Sequence, residues 1–171
     1  ADPAHGTASA PSASDAAPIA SIPPRTPVLP AMLLAWVFAC GWFNSTAIAT
    51  QLPALLQAAG LGLAAAVSLG MLIGPAQVAG RIAELSLQKW LPPLRSARLA
   101  AATHPVAVSF VLLGGIGWAA PFVLLHGLGN GVLTIVQGTL PLWLFGPQGF
   151  GQRQGLLMLP ARLAQAAAPL A

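Results

Sequence analysis

The sequence predicts an all-α, polytopic transmembrane helical bundle, and three observations predict it. Of 171 residues, 56% are hydrophobic and only 6% are charged, where soluble domains carry about 25% charged residues. The mean hydropathy is +0.77. The apolar residues also come in stretches of about 20, the length at which a helix crosses the hydrocarbon core. So few charges cannot cover a water-exposed surface, whereas helices satisfy their backbone hydrogen bonds internally and can stand in lipid.

Residues 1–29 are rich in Ala, Pro and Ser, with Pro23, Pro24 and Pro27 opposing any helix. They are expected to form a disordered linker. With no basic segment ahead of an apolar core, they do not read as a signal peptide. Residues 30–171 read as a helical half-domain of about five spans. The first covers about 32–58, and the Gly60-Leu61-Gly62 turn leads to the second, about 63–83. The connection from Glu84 to Ser96 carries charge, and its Pro92-Pro93 pair is expected to end any helix there. The third span covers about 99–116, and Gly114, Gly115 and Gly117 supply the next turn. The fourth covers about 119–145 and is interrupted by several glycines and Pro141. A Gly146-Pro147-Gln148-Gly149 loop leads into the fifth, about 154–171. That last segment is barely long enough to cross, so the chain is expected to be a fragment.

Charge sets the expected orientation. Arg81, Lys89, Arg95 and Arg98 flank the second connection and Arg153 lies in the fourth, while the turns near Gly60 and Gly117 carry none. Charged and uncharged connections alternate, which by the positive-inside rule places the N-terminal linker and both basic loops in the cytoplasm. Trp118, Trp143 and Phe145 then fall at interfacial depth. The pI of 11.3 comes without any basic run, so nucleic acid is not an expected partner. The single Cys40 allows neither an internal disulfide nor a cysteine-based metal site. No paired carboxylates, nucleophile–base set or metal cluster stands out, so no enzyme, cofactor or metal is expected.

The candidates for chemistry are polar residues inside spans. Arg162 is costly at depth. It reads either as a site arginine for an anionic group or as a structural arginine snorkelling from the cytoplasmic end. His126 and His104 are the titratable groups within spans able to carry a proton near neutral pH. His104 precedes Pro105 and can instead bond a freed carbonyl. Asn44, Gln51, Asn130, Thr134 and Gln137 suit either a pore lining or hydrogen bonds between helices. Gly127 and Gly131 form a small-x-x-x-small pattern that favours close helix packing. Gly127 to Gly131 lacks the Lys of a phosphate loop. Arg81 and Glu84 are spaced as a local pair at the membrane edge.

Shifted by 85 residues, the chain matches itself: Gly70 to Ala79 lies over Gly155 to Ala164. Pro75-Ala76 then falls on Pro160-Ala161 and the polar Gln77 on Arg162. A three-span repeat places its second copy upside down, the inverted-topology arrangement of many secondary transporters.

Three stretches carry a family resemblance: Leu72-Ile73-Gly74-Pro75-Ala76-Gln77-Val78-Ala79-Gly80-Arg81, His126-Gly127-Leu128-Gly129-Asn130-Gly131, and Gly146-Pro147-Gln148-Gly149-Phe150-Gly151-Gln152-Arg153. Together they resemble the C-terminal half of a major facilitator superfamily transporter, helices seven to eleven. The resemblance implies half of a two-part fold, with residues 1–29 as part of the cytoplasmic loop between halves. A missing N-terminal half and last helix of the same protein would be the partners, beside the lipid bilayer and a small-molecule solute. The implied function is secondary active transport by alternating access; a non-transporting scaffold or sensor subunit is the alternative. Gly80-Arg81 falls on the Gly-Arg of the family's cytoplasmic gate loop, with Gln77 where that motif has Asp. The Ala-rich, Arg-over-Lys composition points to a bacterial inner membrane. Substrate or coupling candidates are Arg162, His126, Asn44, Asn130, Gln77 and Gln137.

Overall fold

The computed structural model describes residues 27–170, and these are helical nearly throughout. The expected linker therefore lies outside the described residues except for 27–29, of which Val28 and Leu29 already belong to the first helix.

Helix α1 (Val28–Ala58) starts after an extended Pro27 and carries Pro53 near its end. Its 31 residues exceed the roughly 20 needed to cross a bilayer. Helices α2 (Leu63–Met71) and α3 (Ile73–Leu87) divide the expected second span in two. The cause is Pro75, which has no N–H to donate to the carbonyl four residues back. That carbonyl belongs to Met71, the last residue of α2. The Leu72 N–H instead closes a tighter turn on the Leu69 carbonyl at 3.1 Å. Helix α3 continues to Leu87, so Gly80, Arg81 and Glu84 lie within a helix rather than in a connecting loop.

Helix α4 (Pro93–Gly114) begins at the proline pair that sequence reasoning took as a terminator. Pro is favoured at the first helical position, where its missing N–H has no intrahelical partner to lose. A 3₁₀ turn over Gly115–Trp118 follows; Gly115 has φ 68°, a conformation that a side chain disfavours. Helix α5 (Ala119–Phe145) then returns antiparallel to α4, bringing Trp118 within 5.4 Å of Phe110 and Gly129 against Thr103. Helix α6 (Phe150–Ala167) ends in a 3₁₀ turn over Ala168–Leu170.

Two apolar layers hold the bundle. One joins Leu52 and Leu56 of α1, Ala66 of α2, Ala107 of α4, and Ala119, Phe122 and Val123 of α5. The other joins Leu34 and Phe38 of α1, Val136 and Leu140 of α5, and Leu157 and Ala161 of α6. Helices α1 and α5 run through both. Between α3 and α5 the backbones approach closely and run parallel. A Cβ on Gly127 would strike Ala76 and the Ile73 carbonyl; one on Gly131 would strike the Gln77 carbonyl; one on Gly80 would strike the Leu128 carbonyl. Small residues at such contacts are what membrane helices use to pack.

The outside is apolar. Leu113 is 89% exposed, Leu112 77%, Met71 72% and Trp36 69%, a surface suited to hydrocarbon rather than water. Three segments are long and apolar enough to cross a membrane: Val28–Ala58, Leu63–Leu87 and Pro93–Phe145, with mean hydropathies of 1.5, 1.6 and 2.1. The third, at 53 residues, folds back on itself as α4 and α5. Helix α6 is not among these segments, because Gln152, Arg153, Gln154, Arg162 and Gln165 interrupt its apolar character. The described residues are thus all-helical and of membrane type.

Candidate functional site

The polar residues gather between the two apolar layers. Asn130, Thr134 and Gln137 fall on one face of α5, because residues spaced by four and seven align along a helix. Gln77 and Arg81 do the same on α3, and Ser45 joins them from α1. Together with apolar neighbours they line a cavity of about 80 Å³. The tight approach at Gly131 sets the position of both polar rows, since it presses α5 against the backbone of Gln77 and Arg81.

The layer is cross-linked by hydrogen bonds. Trp42 Nε1 on α1 donates to Gln137 Oε1 at 2.8 Å. Gln154 Nε2 on α6 donates to the Gln137 carbonyl at 2.8 Å. Its own Oε1 is buried and has no partner among the described residues. Thr134 Oγ1 donates to the Asn130 carbonyl at 2.8 Å, so that hydroxyl is already satisfied within its helix.

Behind the cavity wall stands a second group. Asn130 Oδ1 lies 3.2 Å from His104 Nε2, and Asn130 Nδ2 lies 3.0 Å from His126 Nε2. His104 Nδ1 is 3.1 Å from the Ala100 carbonyl. The two imidazoles meet edge to face with centroids 5.1 Å apart, and Phe122 stacks on His126 at 5.9 Å. His126 is 2% exposed. Asn130 thus faces the cavity while tying both histidines together.

Of the sequence candidates, Gln77, Arg81, Asn130 and Gln137 meet at the cavity, and His126 is one hydrogen bond away. Gly80 does not line it but lies on the α3–α5 contact. Asn44 is half-buried and off the cavity; its neighbour Ser45 lines it instead. Arg162 is exposed. Its guanidinium sits 5.0 Å from the ring centre of Trp42 and donates to Gln165 Oε1 at 2.9 Å. It therefore touches the site through Trp42, a residue sequence reasoning did not single out. Among the described residues no ion pair joins Arg81 to Glu84. Arg81 lines the cavity and Glu84 is 5% exposed within α3.

Arg153 is the residue that sequence reasoning placed most differently. Expected as a cation in the loop after the fourth span, it lies within helix α6 and is 9% exposed. It donates to the carbonyls of Phe145 and Gly146 at 3.1 Å each and of Gln148 at 2.8 Å. Those carbonyls close α5 and its loop, where a cation also opposes the helix dipole. Gly146, with φ 74°, lets the chain turn beneath the guanidinium.

Chemically the site offers amide, hydroxyl and guanidinium groups in an apolar surround, which suits holding a small polar or anionic molecule. Among the described residues, no group of three or more His, Cys, Asp or Glu could hold a metal ion. Comparison with protein-family models, with curated proteins and with solved structures finds no significant match to this chain.

Proposed function

We propose that this chain is the membrane half of a secondary transporter that moves a small polar solute by alternating access. One observation carries the reading: α1, α3 and α5 each contribute polar side chains to a single cavity that lies between two apolar layers. Polar groups are expensive in lipid, and where present they line a path or a binding site. The sequence resemblance to the C-terminal half of a major facilitator transporter supports the same reading. So does the break between α2 and α3, on the helix that brings Gln77 and Arg81 to the cavity, since discontinuous helices are a recurrent feature of transporter sites.

In the proposed topology α1, the α2–α3 pair, α4, α5 and α6 each cross a bacterial inner membrane, with the N-terminal segment in the cytoplasm. Single cysteines at Lys89 and Gln148, in a Cys40→Ala background, are then accessible from one side, and cysteines at Gly60 and Gly117 from the other. Labelling of Gly60 and Lys89 from the same side overturns that topology. The functional test is solute flux into liposomes containing the full-length protein that carries these residues, with Gln137→Leu as the variant. The expected result is uptake of a small polar or anionic solute that Gln137→Leu reduces at least about tenfold, the effect of about 1.4 kcal/mol. Absence of flux across a broad solute panel from well-folded protein overturns the reading.

A further inference from the structure

We propose that His104, Asn130 and His126 form a single-proton binding site at the cavity wall, in which the Asn130 amide turns over when the proton binds.

The argument is one of donors and acceptors. His104 Nδ1 faces the Ala100 carbonyl at 3.1 Å, which only accepts, and the Thr103 hydroxyl 3.5 Å from Nδ1 gives its hydrogen to that same carbonyl at 2.7 Å, so Nδ1 carries a hydrogen. A side-chain amide presents an acceptor on one edge and donors on the other. With Oδ1 toward His104 and Nδ2 toward His126, as observed, His104 Nε2 must donate and His126 Nε2 must accept. His104 then carries hydrogens on both nitrogens and is a cation, while His126 is neutral with its hydrogen on Nδ1. Rotating the amide by half a turn reverses both demands. His104 Nε2 now accepts from Nδ2 and is bare, and His126 Nε2 donates to Oδ1. The two states differ by one proton: the network gains it at His104 Nε2, and His126 exchanges an Nε2 hydrogen for one on Nδ1.

Two features limit the site to one proton. The ring centroids are only 5.1 Å apart, so two imidazolium charges would repel strongly in a medium of low dielectric. One amide also cannot accept from both rings on opposite edges. The other charged groups are few, and on α4 itself they are Arg95 and Arg98, both exposed and toward the start of the helix. From α3, Arg81 shares the cavity wall with Asn130 and Glu84 lies farther along the helix, beyond the level where Ile73 and Ala76 meet Gly127. Helices α1 and α2 contain no Asp, Glu, Lys, Arg or His. On α6, Arg153 and Arg162 are engaged at Phe145 and Trp42. The site therefore binds a proton without a carboxylate of its own, and its existence does not depend on what the cavity transports.

The chain contains three histidines, the third being His5, which makes the test direct. The full chain, labelled with ¹⁵N-histidine and placed in phosphatidylcholine–phosphatidylglycerol nanodiscs, is followed by ring-nitrogen NMR from about pH 5 to about pH 9, the range histidine samples. The expected spectra show His104 losing its Nε2 hydrogen and His126 changing tautomer at one shared midpoint. The proposal is overturned if His126 keeps one tautomer throughout, or if both rings become doubly protonated. Two separate midpoints also overturn it. In His104→Gln, whose side-chain amide can still bond Asn130, His126 should lose its pH-dependent tautomer change. An unchanged midpoint for His126 in that folded variant rejects the coupling.

Discussion

Helices α5 and α6 both carry polar residues in apolar surroundings, yet they use them in opposite ways. Helix α5 is packed by α3 on one side and α4 on the other, and buries His126 and Asn130 together with Gly127, Gly129 and Gly131. Helix α6 buries only Arg153, Leu157 and Ala161. The difference lies in the glycines. On α5 they let neighbouring backbones come so close that polar side chains beside them cannot escape to the surface. On α6, Gly151 and Gly155 have open space around them, and Arg162 swings out to lie over Trp42. How closely the backbones approach, rather than how polar a residue is, decides whether it becomes part of a site.

Substitutions can break this contrast, and the largest effect is expected at Gly131. Valine there must displace the backbone of α3, which should cost about 3 kcal/mol and open the cavity. The same change at Gly155 should stay within about 0.5 kcal/mol. Thermal unfolding in mild detergent compares the two, and equal losses would remove the packing argument. Next comes Arg153→Met. Loss of charge-assisted bonds to three carbonyls at the end of α5 should cost about 2 kcal/mol, seen as faster amide hydrogen exchange from Phe145 to Gln148. Protection equal to wild type would reject the capping role. Gln137→Leu removes the acceptor of Trp42 Nε1 and should cost about 1 kcal/mol, with a shift of the Trp42 indole proton in NMR. The smallest effect is assigned to Arg162→Met, at most about 0.5 kcal/mol, because an exposed cation–π contact contributes little. A larger loss of stability would mean that α6 depends on Arg162 as much as on Arg153.

Much of the site on α5 was legible because Asn130, Thr134 and Gln137 recur at helical spacing, a pattern that survives any packing. Gly127 and Gly131 were legible as a contact for the same reason. What could not be read were relations between distant segments. Trp42 and Gln137 are 95 residues apart, and nothing in either neighbourhood announces the other. Arg153 was counted as a loop charge because its three carbonyl partners converge only once the loop has turned at Gly146. The Pro92-Pro93 pair predicts a stop, although the same chemistry makes a good start for α4. The matched prolines of the repeat also part company in the structure. Pro75 separates α2 from α3, while Pro160 lies within an α6 that runs unbroken from Phe150 to Ala167. Pattern alone does not say whether the neighbours of a proline will hold a helix together.

The two apolar layers on either side of the polar one have an electrical consequence. Each is a slab of insulator, so in an energised bilayer most of the voltage drop falls across them and the cavity sits partway down the field. Moving one elementary charge through the full potential is worth about 2.3 kcal/mol per 100 mV. A charge brought halfway, to the depth of Asn130, would therefore feel about 1.2 kcal/mol per 100 mV. Occupancy of the cavity by any ion, a proton included, should shift with membrane voltage as well as with concentration.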